Sequence, residues 1–259
     1  MLALLGAFAP GLALSQAPAA VEVNTGQDVT RPIARVDVRA GYSRATEGTD
    51  TGTFVLRHDR PVRLGDGWTL GLRADLPFVM NDAASRATGE REFAGGVGDV
   101  LAQAILSRAL DERWAVGFGT QVIAPTATRD RFGSGGWRLL PTAGLRYSLS
   151  QEISPGSFAL AALRYDVDVA GESDRTRRRE LQFAPTLNVV LPGHWFVTLF
   201  PSTDIRLNTE TGRWFVPANF AIGRVWPGSL VVSAEFGIGI IRDLPVYDHR
   251  VELRLGFFF

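Results

Sequence analysis

The chain has 259 residues, 46% of them hydrophobic, with 28 Gly, 14 Pro and no Cys. The lack of Cys excludes a disulfide framework and any thiolate metal site or nucleophile. Its 27 basic and 27 acidic residues cancel to zero net charge, so there is no bulk field to recruit nucleic acid. Every basic residue is Arg. GC-rich coding would produce that bias, and so would a charged interior, because Arg stays protonated when buried and forks onto carboxylates.

The first 20 residues are apolar and small, uncharged, broken by Pro10 and Gly11, and end in SQAPAA. They read as a secretory signal peptide without the usual basic start, and a membrane anchor is the alternative that Pro10 disfavours. Residues 21–32 read as a periplasmic N-terminal segment, and 33–259 as one domain.

Within that domain, alternating or near-alternating runs follow in order: Ile33 to Tyr42, Thr53 to Arg63, Trp68 to Pro77, Val97 to Ser107, Arg113 to Ile123 and Arg138 to Leu149. The second half repeats the pattern at Ser157 to Val169, Arg179 to Leu191, His194 to Leu207, Arg213 to Arg224, Ser229 to Ile241 and Arg250 to Phe259. Twelve is an even number, as a closed single-chain barrel prefers. Strands of about 11 residues, rising ~3.3 Å each and tilted about 40°, climb about 28 Å, enough for an apolar band of ~25 Å. The expected fold is therefore all-β, a closed antiparallel transmembrane β-barrel of about twelve strands. Ten or fourteen strands follow if the segment from Phe78 to Gly96 pairs differently or the second strand fails.

Connections sort by parity. Short ones fall at GDG around Asp66, at LDE around Glu112, at Pro192-Gly193 and at Pro227-Gly228, with 151–156 a little longer. Between them run the long ones, clearest at Phe78 to Gly96 and Ala124 to Trp137. Short turns belong to the periplasm and long loops to the outside. Trp68, Trp114, Trp195 and Trp226 flank short turns while Trp137 and Trp214 begin strands at the other end, the arrangement of two aromatic girdles.

Parity also assigns faces. In the ninth run Trp195, Val197, Leu199, Ile205 and Leu207 point to lipid, while Thr198, Ser202, Asp204, Arg206 and Asn208 point inward. The same rule places Arg35, Asp37, Asp75, Asp99, Arg146, Arg164, Asp166, Glu235 and Arg254 on the lumen wall. Interleaved charges of both signs must be hydrated or paired. The lumen is then a wet pore with charged walls or a closed Arg–carboxylate network, and a narrow pore is the expectation. The second run is the awkward one, because His58 and Arg60 share a face with Phe54 and Leu56. Arg60 must then lie near an interface, or Pro61 must mark a bulge.

Gly96 to Val100 (GVGDV), Ile123 to Thr126 (IAPT), Gly133 to Trp137 (GSGGW) and Pro141 occur in an order that resembles the outer-membrane transporter family of the meta-pathway of phenol degradation. The resemblance covers about Phe54 to Phe259 and implies an outer-membrane barrel that passes small molecules, aromatic or apolar ones among them. The terminal Phe259 resembles the assembly signal of outer-membrane barrels, which implies the barrel-assembly machinery as a partner beside lipid, lipopolysaccharide and a small solute. GVGDV lacks the strand-then-helix setting of a dinucleotide site, so its glycines read as structural.

No metal site, cofactor or catalytic residue is expected. The competing readings are a lipid-modifying enzyme using His249 with Asp248, and a non-conducting barrel that binds lipopolysaccharide through Arg175, Arg177, Arg178 and Arg179.

Overall fold

The computed structural model describes residues 24–85, 88–171, 177–226 and 229–259, so the expected signal peptide lies outside the described residues. The strands are β1 (Arg35–Arg44), β2 (Asp50–Arg63), β3 (Trp68–Asn81), β4 (Ala94–Val97), β5 (Val100–Ala109), β6 (Trp114–Ala124) and β7 (Gly136–Ser148). They continue as β8 (Phe158–Gly171), β9 (Arg179–Leu191), β10 (Trp195–Leu199), β11 (Ile205–Asn208), β12 (Trp214–Trp226), β13 (Leu230–Arg242) and β14 (His249–Phe258). All pairings are antiparallel, and β1 pairs with β14 from Arg35↔Phe258 to Arg44↔His249, which closes the sheet. Because β4 and β5 share one stave, and β10 and β11 another, the fourteen segments make a closed barrel of twelve staves.

Both interruptions are bulges with a local cause. Phe78↔Val97 and Asp75↔Leu101 put four residues of the β4–β5 stave opposite three of β3, so one extra residue is expelled at Gly98-Asp99. Leu199↔Leu187 and Ile205↔Phe183 put six residues of the β10–β11 stave opposite four of β9. There Phe200 takes φ +48° and Pro201 has no N–H to donate, so residues 200–204 leave the ladder and dip inward. Two extra residues preserve the in/out parity, whereas one extra residue does not.

The exterior is apolar, with Phe54, Leu56, Leu76, Phe118, Leu163, Phe220, Ile238 and Leu253 all exposed. Inward neighbours are buried and mostly polar, as Asp37, Asp75, Asp166, Gln182, Asn188 and Thr198 are. That inversion relative to a soluble fold places hydrocarbon outside and polar groups inside. No helix among the described residues is long and apolar enough to cross a membrane. Trp68, Trp114 and Trp195 open strands at the short-turn end, Trp226 closes one there, and Trp137 and Trp214 stand at the opposite rim. At the short-turn end Arg108 lies over Trp68, and Arg224 reaches both Trp195 and Trp226.

The second strand keeps its register through Pro61, with Arg60↔Leu72 and Pro61↔Gly71. No bulge rescues Arg60; it stays outward, three residues from the end of β2, at the rim. His58 beside it stacks on Phe259, with ring centroids 6.3 Å apart. The long loop expected from Phe78 to Gly96 is shorter, because β3 runs to Asn81 and β4 pairs with it.

Candidate functional site

The lumen is lined by an ion-pair network built from alternate residues of adjacent strands. On β1, β2 and β3, Arg57 forks onto Asp75 with its Nε and Nη2 at 2.7 and 2.6 Å, and Arg73 meets Asp59 at 2.6 Å. Arg35 also donates to Asp59. Across the β1–β14 seam Arg254 lies 3.1 Å from Asp37 and Arg39 lies 2.8 Å from Glu252. The second cluster centres on Asp204, which holds Arg206 at 3.0 Å and Arg250 at 2.9 Å, with Arg250 also 3.3 Å from Glu235. Asp166 accepts from Arg138 and from Gln182. Of the residues assigned inward, Arg35, Asp37, Asp75, Arg146, Asp166, Asp204, Glu235 and Arg254 are buried, and Arg164 and Arg206 half-buried.

Asp99 departs from that pattern and from the expectation that it lies on the lumen wall. Sitting at the one-residue bulge, its carboxylate accepts the main-chain N–H groups of Ala127 and Ser134 and the Ser134 hydroxyl, at 3.2, 2.5 and 2.8 Å. Thr126 donates its hydroxyl to Gly98 O and accepts Val100 N–H. The GVGD, PT and GSGG motifs are thus three parts of one structure that pins the loop of residues 125–135. That loop buries Phe132 against the inward faces of Gly96 and Gly98, where a Cβ on Gly96 would lie 2.8 Å from the Phe132 ring.

A second loop, residues 243–248, buries Tyr247 in the outer mouth. Its ring meets Phe215 edge-on at 4.7 Å, and its hydroxyl donates to Asp204 at 3.3 Å. Burial, with the Asp204 charge beside it, pushes this phenol up from its ordinary value. It therefore remains protonated, and a donor, at neutral pH.

Of the segment before the first strand, residues 24–34 lie inside the barrel at the short-turn end, a placement the sequence did not show. Asp28 makes an ion pair with Arg146 of β7 at 2.7 Å, and Arg254 of β14 donates to Thr25 O at 3.0 Å. Arg35 donates to Gly26 O at 2.7 Å, where φ +72° favours glycine. Thr25 reaches Asn188 of β9, and Val29 packs on Phe158, Leu160, Ala162 and Ala184. The segment is internally braced, because Asp28 also accepts the Thr30 N–H and hydroxyl. Charge parity alone could not place it, since an eleven-residue stretch without alternation carries no face to read.

Between this inner segment and the bulge at residues 200–204 lies a cavity of about 250 Å³. One side is arginine-rich, with Arg35, Arg39, Arg57 and Arg73, and the other is apolar, with Leu101, Ile105, Leu160, Ala162 and Ala184. The bulged residues Pro201, Ser202 and Thr203 also reach it. Alternation gave these side chains their face but not their partners, so the division of the wall into two halves went unseen in the sequence.

Among the described residues the His249–Asp248 element of the enzyme reading is not assembled. His249 is exposed against the Tyr42 ring while Asp248 pairs with Arg242, so the two do not form an acid–base pair. Arg178 pairs with Glu180 and Arg179 with Glu210, and Arg175 lies outside the described residues. No group of His, Asp and Glu suited to a metal ion occurs among the described residues.

Residues 48–200, more than half of the chain, match the sequence profile of the family described as "Putative MetA-pathway of phenol degradation". No curated protein sequence matches the chain. Among solved structures, the COG4313 outer membrane channel from Pseudomonas putida F1 superposes with TM-score 0.63 at 17% identity, covering 94% of this chain and all of that one. KdgM porin gives TM-score 0.52 at 10% identity over 87% of this chain and 99% of that one. NanC porin gives 0.51 at 15% identity over 86% of this chain and 98% of that one. The shared fold is the closed outer-membrane barrel, and with the apolar exterior it places this chain in the bacterial outer membrane.

Proposed function

The chain belongs to the family of the MetA-pathway of phenol degradation, and from that premise we propose that it is an outer-membrane channel for small molecules, aromatic or apolar ones among them. The observation that carries this reading is the solute-sized cavity held inside the barrel between the inner segment, at Gly26, Gln27 and Val29, and the bulged residues Pro201, Ser202 and Thr203. A barrel with a filled interior would need none of the three elements, whereas a conduit needs a space and closures on either side of it. About 150 Å³ suffices for one benzene ring, so the present space accepts a single-ring solute without rearranging the strands.

The roles follow from position. Arg35, Asp37, Asp75, Arg146, Arg164, Asp166, Asp204, Arg206, Glu235 and Arg254 line or gate the path; Asp99 instead fixes an outer loop. Pairing lets the wall carry charge without the cost of isolated buried ions. Opening requires residues 24–34 to leave the lumen, and their bonds are of a kind that water can replace. Trp68, Trp114, Trp137, Trp195, Trp214 and Trp226 anchor the two membrane interfaces, and Phe259 presents a terminal aromatic to the assembly machinery. Lipid and lipopolysaccharide surround the outer wall. None of these roles calls for catalysis.

Flux into proteoliposomes tests the reading. Vesicles holding the protein should take up phenol-sized solutes faster than empty vesicles, and faster again once Asp28→Ala releases the inner segment. Equal rates in all three preparations would refute it.

A further inference from the structure

One lumen arginine stands apart from the network. The other guanidiniums facing the cavity each have a carboxylate within ion-pair distance: Arg35 and Arg73 on Asp59, Arg57 on Asp75, Arg39 on Glu252 and Arg250 on Asp204. Among the described residues Arg164 has none, and its one hydrogen bond there goes from Nη1 to Gln121 Oε1 at 2.7 Å, while its Nε is buried with no partner. The nearest carboxylates that act on it, Asp204 and Asp166, are engaged by Arg250, Arg206 and Arg138, and the charges of Arg206 and Arg138 offset theirs. Six arginines and three carboxylates line the cavity, and Asp59 and Asp204 just behind the lining pair with three of those arginines, which leaves Arg164 as the guanidinium of the lining without an ion-pair partner among the described residues.

The hydrogen bonds around Arg164 point the same way. A guanidinium only donates, so Gln121 must turn its carbonyl to Arg164. Its amide nitrogen then donates to Gln103 Oε1 at 2.7 Å, which leaves the Gln103 amide as a spare donor on the cavity wall. Donors accumulate at this spot without a matching acceptor. Directly along β8 the inward face reads Leu160, Ala162, Arg164, so an apolar surface shared with Ala184 runs up to the cation. Successive inward positions on a strand are about 6.7 Å apart, roughly the span of one ring with its substituent.

We infer that the cavity binds one aromatic carboxylate, its carboxylate forked by Arg164 and assisted by Gln103, its ring on Leu160, Ala162 and Ala184. This deepens the channel reading and rests on it, naming the solute as an amphipathic anion. The solute supplies the missing counter-charge and is itself desolvated only where a guanidinium replaces its water.

Binding of 4-fluorobenzoate to the purified full chain in detergent, followed by 19F NMR, tests this beside its neutral isostere 4-fluorobenzamide. The benzoate should bind about tenfold more tightly than the benzamide, a difference set by charge-assisted hydrogen bonds. Arg164→Gln should erase that preference and leave benzamide unchanged. Gln121→Glu gives Arg164 an internal carboxylate and should abolish benzoate binding in a barrel at least as stable, which covers the case of Arg164→Gln failing to fold. Ala184→Phe, which fills the apolar side, should exclude both ligands. Equal affinity of benzoate and benzamide, benzoate binding that survives Gln121→Glu, or acetate binding as tightly as benzoate would each overturn the inference. Solute flux read separately in proteoliposomes distinguishes the two failures. Flux without benzoate preference sinks this site alone, and benzoate preference without flux sinks the channel and leaves the site.

Discussion

The two ends of the lumen are closed by different physics. At the inner end a single stretch, residues 24–34, joins the wall covalently only at Arg35 and is held by arginines that reach its carbonyls and its one carboxylate. At the outer end the closures are hairpin loops tied at both ends, and they bury aromatic rings, Phe132 over glycines and Tyr247 against Phe215. Ionic and hydrogen-bonded contacts are exchangeable for water, whereas packed rings are not. In the proposed channel the inner closure is therefore the one expected to come away as a unit, and the outer one to set the shape of the mouth.

The largest effect that would break this contrast is at the Asp28–Arg146 pair. Asp28→Ala leaves Arg146 buried without that partner, a loss worth about 3–5 kcal/mol for pairs of this kind. Hydrogen exchange should then report residues 24–34 losing protection while β7 and β14 keep theirs. Protection that stays intact would mean the segment is held by Val29 packing and not by charge. Next comes Gly96→Val, which drives a side chain into the Phe132 ring at a cost of about 1–3 kcal/mol. Trypsin should cut the variant faster at Arg129 or Arg131 with the inner segment unaffected. The smallest is Tyr247→Phe, which removes one hydroxyl contact to an Asp204 already held by two arginines, for about 1 kcal/mol. Its unfolding midpoint in denaturant should shift slightly. Because the wild-type phenol is pushed up, stability should show no Tyr247 titration between pH 6 and 9, roughly the range below an ordinary tyrosine.

Strand number, faces and the handed alternation of turns and loops were legible because lipid on one side and a polar interior on the other impose a period of two on every stave. That period survived the bulge at residues 200–204, which adds two residues, and failed at Gly98-Asp99, which adds one. Asp99 was misplaced for that reason. Two further features carried no periodic signal. Residues 24–34 enter the lumen through side chains of β1, β7, β9 and β14 that are far apart in sequence, and the lone state of Arg164 depends on which carboxylates its neighbours have already taken. Both are properties of pairing across the lumen, which alternation does not encode.

Single-channel conductance in planar bilayers, measured on the full chain and on the same chain lacking residues 24–33, bears most directly on the account. Full-length protein should give small, infrequent conductance steps, and the shortened chain large and persistent ones, because the inner closure is gone while the barrel wall, paired from Arg35 onward, remains. Identical steps from the two proteins, or silence from both, would contradict a lumen closed by its own N-terminal segment.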